Sequence, residues 1–281
     1  MRARFRWNRW RWARFLFPLC SINDELRRVP LKLLRADLFV FCCAPVLAVV
    51  WALPGFAQTV PVAAVPTPYS RQEAMIPVRD GVKLHVVMLR PTGSEAAGEP
   101  LPFLMQRTPY GVDGANSARI NAGKPELAAS GYIFVFADIR GRYGSEGQFV
   151  MNRPIVAHTT KMDVDETTDT RDTIDWLLKN VPNNSGKVGV IGVSYPGFLA
   201  MMAGIDAHPA VKAISPQAPM TNVWLGDDFF HNGAFRETYG FDYVQQLEAQ
   251  KTDVRAESKE DTYTFFLRNG NFDGAARVAK M

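Results

Sequence analysis

The segment KVGVIGVSYPGF, Lys187–Phe198, constrains the chain more than any other. An apolar run leads into Gly192, Ser194 and Gly197, and small and apolar residues follow. A short β-branched run bounded by glycine reads as a strand, and the small-residue pattern after it reads as a helix. A serine between the two sits on a tight strand-to-helix turn, which holds its hydroxyl out from the sheet.

The neighbouring pattern supplies such a sheet. Ala74–Val78 and Lys83–Leu89, joined through Arg79-Asp80-Gly81, read as a hairpin. Phe103–Gln106 is a short strand leading into the loop Arg107–Gly111, and Pro125–Ser130 is helical. Ile133–Ala137 is almost wholly apolar, as in a parallel strand covered on both faces. Asp165–Lys179 is the clearest helix, with acids in its first turns and Lys179 in its last. The helix Phe198–Ile205, the strand Val211–Ile214 and the loop Ser215–Pro219 complete an alternating α/β pattern. The fold class is therefore α/β, a mostly parallel sheet with helices on both faces. From Asn222 the strand pattern gives way to aromatic and polar residues, which read as the start of a helical cap.

The 281 residues carry a formal charge of +4, but the excess is confined to one end. Residues 1–57 hold ten Lys/Arg against three Asp/Glu, and the remainder holds 22 against 25. The body is thus mildly acidic and has no long-range attraction for nucleic acid or an anionic membrane. The opening MRARFRWNRWRWARF reads as an upstream extension; a segment coating an anionic surface is the other reading. Lys32 and Arg35, the apolar run Leu38–Leu53 and the small residues Gly55 and Ala57 follow the secretory pattern. Cleavage after Ala57 and export are expected, with a retained single anchor as the alternative. Cys20, Cys42 and Cys43 all lie in that leader, so the exported part has no cysteine nucleophile, disulfide or Cys-based metal site. The expected organisation is a leader over 1–57, a linker over 58–71, the first part of an α/β domain over 72–221 and the cap from 222 to 281. No cofactor is implied.

Ser194 is the candidate nucleophile. The usual elbow is G-x-S-x-G; here the second glycine is displaced by one and Pro196 takes its place, where a first-turn proline costs little. The backbone N–H of Tyr195, next after the serine, is placed for an oxyanion hole. Tyr110 follows an earlier strand, at the same carboxyl end of the sheet, and its hydroxyl can be the second donor; a plain aromatic loop residue is the other reading. Asp138, Arg140 and Arg142 read as a loop fixed by ion pairs, and Asp163, Asp165 and Glu166 as a solvated helix start. Asp227 and Asp228 stand among Trp224, Phe229 and Phe230, a setting that can receive a substrate amine; helix capping is the alternative. His85 and His158 precede Ser194, His208 begins the loop after its helix, and His231 follows by only 37 residues, before enough chain has passed to build the later strands that supply the acid and histidine in the order Ser, Asp/Glu, His, so no triad acid or base is assigned.

These motifs resemble the X-Pro dipeptidyl-peptidase (S15) and cocaine esterase (CocE/NonD) type of α/β-hydrolases. The likeness is nearest to the α-amino-acid ester hydrolases and glutaryl-cephalosporin acylase-like proteins. It rests on GVSYPG at 192–197, RTPYG at 107–111, ADIRGRYGSEGQF at 137–149, DETTDTRDTIDWLLKN at 165–180 and GDDFFHNGAF at 226–235. The resemblance implies a serine hydrolase with Ser194 as nucleophile and the Tyr195 N–H and Tyr110 hydroxyl as oxyanion donors. Its substrates would be esters or amides of α-amino acids, β-lactam-type amides included, bearing a free α-amine. X-Pro dipeptidyl-peptidase and cocaine-esterase-like carboxylesterase activities are the alternatives, and a non-catalytic exported binding protein is a third. Members of that family are roughly twice as long and complete the sheet after the cap, and full-length relatives can be oligomers. This sequence accordingly reads as an N-terminal portion, weakly active or inactive, with the triad acid and histidine lying outside it.

Overall fold

The computed structural model describes residues 66–94, 98, 100–226, 228–248, 250–252 and 261–279. The leader, its cleavage position and most of the linker lie outside these residues. So does Asp227. Among the described residues no helix is long and apolar enough to cross a membrane.

Strands β1 (Tyr69–Pro77) and β2 (Lys83–Pro91) form the hairpin, in register from Tyr69 opposite Pro91 to Pro77 opposite Lys83. Gly81 closes the turn at φ 88°, where a side chain is strained, and its N–H reaches Val78 O at 2.8 Å. Then come β3 (Leu101–Thr108), α1 (Ser117–Gly123), α2 (Pro125–Ala129), β4 (Ile133–Asp138), α3 (Glu166–Asn180), β5 (Asn184–Val193), α4 (Tyr195–Met202) and β6 (Val211–Gln217). The sheet order is β1-β2-β4-β3-β5-β6. The β1, β2 and β4 neighbours are antiparallel, and the pairs β4/β3, β3/β5 and β5/β6 are parallel.

Side-chain alternation explains why these strands read as nearly continuous apolar runs. Val86, Met88, Phe103, Met105, Ile133 and Val135 face Ile174 and Leu177 of α3 and Ala200 of α4. Their neighbours Val87, Leu89, Leu104 and Phe134 face Ile120 of α1 and Ala128 of α2. Both faces are buried, and each such side chain contributes about 1.5–3 kcal/mol. This is an α/β-hydrolase-like sheet with helices on both sides.

Among the boundaries that differ from the sequence reading, three have a plain local cause. The first strand begins at Tyr69, within the stretch read as linker, because it pairs to the end of β2. The last runs to Gln217 despite Pro216, since β6 pairs through β5 on one side only among the described residues and tolerates a missing donor on the other. Helix α4 starts at Tyr195 rather than Phe198, because Pro196 is accommodated in its first turn.

The start of α3 corrects a further expectation. Asp165 and Glu166 are 1% and 3% exposed, not solvated. Asp165 is the N-cap, accepting from the N–H groups of Thr167 and Thr168 at 2.9 and 3.0 Å, and His158 Nε2 lies 2.8 Å from its carboxylate. Burial pushes its pKa up, but the Thr167 hydroxyl, at 2.7 Å, with the Thr168 N–H, His158 and the Val156 N–H, pulls it down further, to about 2. A carboxyl lowered on folding stabilises the native state above its unfolded pKa and loses that contribution as pH falls through the folded one. Asp165 should therefore contribute about 2 kcal/mol at neutral pH that disappears between roughly pH 4 and pH 2. Denaturant titrations of wild type and Asp165→Asn at stepped pH should converge at the acid end; a constant difference across that range would refute the assignment.

Beyond the sheet, β7 (Phe230–His231) and β8 (Ala234–Phe235) make a small hairpin. Helices α5 (Glu237–Glu248), α6 (Thr262–Asn269) and α7 (Phe272–Ala279) follow. They close around Phe241, whose ring meets Phe266 at 5.4 Å and Phe272 at 5.5 Å in edge-to-face geometry.

Candidate active site

The turn between β5 and α4 is forced by what has no room. A Cβ at Gly192 would overlap the carbonyl of Pro196, and one at Gly197 would overlap the carbonyl of Gln217 in β6. The displaced glycine of the motif is thus the residue that lets α4 lie against β6. Between them Ser194 adopts φ 61° and ψ −124°, a strained conformation for a residue with a side chain. Its N–H donates to Gln217 O at 3.0 Å and its carbonyl accepts from Phe198 N–H at 2.9 Å. The half-buried serine makes no capping bond through its hydroxyl.

Tyr195 is the first residue of α4, so its N–H has no acceptor within the helix. Its side chain is fully buried, and its hydroxyl accepts the Asn152 N–H at 2.7 Å. Burial, with Glu166 nearby, pushes the phenol well above its usual range. The tyrosine ring is therefore an anchor, and the free backbone donor belongs to the helix end.

Tyr110 lies just beyond β3, where its N–H bonds Thr108 Oγ1 at 3.1 Å. It packs in one cluster with Tyr195, Ile139, Leu199 and Phe198, which brings the Tyr110 loop to the elbow end of the sheet. Its hydroxyl is 2.7 Å from that of Tyr243 in α5.

The loop after β4 is fixed as expected, with different partners. Arg140 bonds Asp169 at 2.7 Å and Asp80 at 2.6 Å, and Asp138 bonds His85 Nδ1 at 2.9 Å. Fully buried Arg142 donates to carbonyls: Pro109 O at 3.0 Å, Gln250 O at 2.7 Å and Leu247 O. It joins the residue before Tyr110 to the end of α5. Below these lies Arg107, 1% exposed, whose Nη1 is 2.9 Å from the Glu166 carboxylate and 2.9 Å from Thr170 Oγ1.

Asp228 is exposed; its carboxylate accepts the Tyr239 hydroxyl at 3.2 Å, and its carbonyl accepts Arg236 Nη1 at 3.1 Å. Trp224 is 59% exposed, its ring 5.3 Å from that of Phe230. Among the described residues no histidine bonds Ser194: His85 meets Asp138 and Glu73, His158 meets Asp165, His208 meets Asp175, and His231 is exposed in β7. Nor, among those residues, does any group of three or more His, Cys, Asp and Glu gather to hold a metal ion. The sequence reading missed Tyr243, Asn152 and the reach of Arg142 to the Leu247 and Gln250 carbonyls; the i, i+4 spacing of Tyr239 and Tyr243 was the one available signal.

Known proteins are similar to this chain in sequence and fold. The chain is 32% identical over 212 residues to the cocaine esterase of Rhodococcus sp. (strain MB1 Bresler), covering 74% of this chain and 34% of the esterase. A solved aminopeptidase from the marine sediment archaeon Thaumarchaeota archaeon matches at 39% identity and TM-score 0.66, over 75% of this chain and 36% of that one. A solved α-amino acid ester hydrolase matches at 39% identity and TM-score 0.67, over 82% and 38%. The chain therefore spans about a third of the length of these relatives. The family model described as X-Pro dipeptidyl-peptidase (S15 family) matches residues 80–279, from the β1–β2 turn to the last helix, and the chain belongs to that family.

Proposed function

We propose that Ser194 is the nucleophile of an acyl-transfer site acting on esters or amides of α-amino acids, β-lactam-type amides included. The observation that carries this reading is the strained serine between two glycines whose Cβ positions are filled by backbone. Its oxygen attacks the substrate carbonyl while the Tyr195 N–H and Tyr110 hydroxyl hold the developing oxyanion; the intermediate collapses with the substrate's alcohol or amine leaving in protonated form, and water or an amine then attacks the acyl-enzyme, releases the acyl group and returns the proton to Ser194. A base must take the serine proton. Among the described residues no histidine bonds Ser194 in that role.

The amino-acid preference is supported by the ester hydrolase and aminopeptidase at 39% identity. Asp228, on the aromatic wall with Trp224, is the proposed receptor for the substrate ammonium, with Asp227 beside it in sequence. A carboxylesterase without that requirement is the second reading, favoured by the 32% identity to cocaine esterase. Export after Ala57 remains part of the proposal, resting on the basic, apolar and small-residue order of the leader.

A fluorophosphonate should label the chain, and Ser194→Ala should abolish labelling. Activated esters of an α-amino acid should react faster than their N-acetylated forms. Asp228→Asn should reduce that preference about tenfold or more, the scale of a lost bond to a charged group. Equal rates for free and acetylated amines would favour the plain esterase, and labelling that survives Ser194→Ala would defeat the nucleophile assignment.

A further inference from the structure

We propose that Tyr243 is a positioning residue for the oxyanion hole: its hydroxyl donates to Tyr110 and so directs the Tyr110 proton at the developing oxyanion. The inference rests on the acyl-transfer reading of Ser194 and Tyr110. A phenol has one proton to give. The two hydroxyls are 2.7 Å apart, and geometry alone lets either donate. If Tyr110 gave its proton to Tyr243, none would remain for the oxyanion. The arrangement that makes Tyr110 a donor at the elbow is therefore the one in which it accepts from Tyr243. A donor that is itself accepting a hydrogen bond is polarised and strengthened.

The surroundings hold Tyr243 to this task. Its ring packs in a trio with Phe229, at 5.5 Å, and Tyr239, stacked at 6.1 Å and 10°. Tyr239 lies one helical turn earlier on α5, and its hydroxyl is fixed by Asp228. At the end of the same helix, Arg142 binds both the Leu247 carbonyl and Pro109 O, next to Tyr110. The oxyanion loop and α5 thus meet at two separate points. Burial and the Tyr110 bond also raise the Tyr243 phenol far above its usual range, so it stays protonated as the donor must.

The test is the rate at which a fluorophosphonate labels Ser194 in the full chain and in Tyr243→Phe, Tyr110→Phe and the double variant. Phenylalanine keeps the ring contacts and removes only the hydroxyl, and equal thermal midpoints would confirm that each variant folds. Tyr110→Phe should slow the maximal labelling rate about a hundredfold, as loss of one oxyanion donor does. Tyr243→Phe should slow it about tenfold with the half-saturating probe concentration unchanged, and should have no further effect once Tyr110 is phenylalanine. A merely structural contribution would slow both backgrounds alike. Multiplying effects, or a Tyr243→Phe protein that labels at the wild-type rate, would overturn the proposal. If the wild-type chain does not label at all, the acyl-transfer reading fails and this one falls with it. Wild-type labelling abolished by Ser194→Ala leaves the Tyr243 outcome to decide alone.

Discussion

Gly192→Ala should lose the elbow while leaving the rest of the sheet sequence untouched. The added methyl would overlap the backbone carbonyl of Pro196, which cannot swing aside as a side chain can. Relief requires α4 to move from β5, and α4 also carries Leu199 and Ala200 into the core. A cost of about 3 kcal/mol is expected, at the upper end for overpacking. In a chain of this size that lowers the thermal midpoint by about 6–12 °C. Labelling of Ser194 should fall at least about a hundredfold, since the attacking oxygen and the Tyr195 N–H shift together. Gly123→Ala is the control: no atom lies near its Cβ position and its φ is ordinary, so it should change stability by less than about 1 kcal/mol. Equal midpoints and equal labelling for the two variants would contradict the geometry of the turn.

Arg107→Met should be at least as damaging to stability, by a different route. The guanidinium and its partners form a buried chain of charges running Glu166, Arg107, Asp169, Arg140, Asp80. Methionine fills much of the volume but leaves Glu166 and Asp169 with one cation fewer in a site closed to water. Breaking a buried pair from one side costs about 3–5 kcal/mol. Burial already pushes the Glu166 carboxyl up, against the pull of Arg107, so without the arginine it should take up a proton on folding. A carboxyl raised on folding loses native stability as pH climbs past its unfolded value. The Arg107→Met protein should therefore be relatively more stable at pH 5 than at pH 8. Adding Glu166→Gln should recover part of the loss and flatten that slope. Urea unfolding at the two pH values measures both effects. A single variant within 1 kcal/mol of wild type and indifferent to pH would show that the network holds nothing together.

These two sites also show where sequence reading succeeds. Lys187–Phe198 was legible because the turn, the strand before it and the helix after it are local, and glycine marks the places where backbone meets backbone. Helix α3 was legible by its acidic start and its apolar spacing. The burial of Asp165 and Glu166 was not, because acids at a helix start ordinarily face water. The charge that partners buried Glu166 is an arginine 59 positions earlier. The partner of Tyr110 was more distant still, 133 positions away in the cap. Pro216 concealed the end of β6 because a proline argues against a strand unless one edge is known to be unpaired. Local patterns marked the proposed nucleophile; the contacts of Glu166 and Tyr110 are long-range, and no local pattern encodes them.

Arg142 has a mechanical consequence. Its single guanidinium grips the carbonyls at the end of α5 and the carbonyl preceding Tyr110. A lid movement that lifts this helix must either tear those bonds or drag the tyrosine with it. On the acyl-transfer reading proposed above, shifting this helix and dismantling the proposed anion cradle are one and the same displacement, so a substrate that is to find it intact has to arrive from another side.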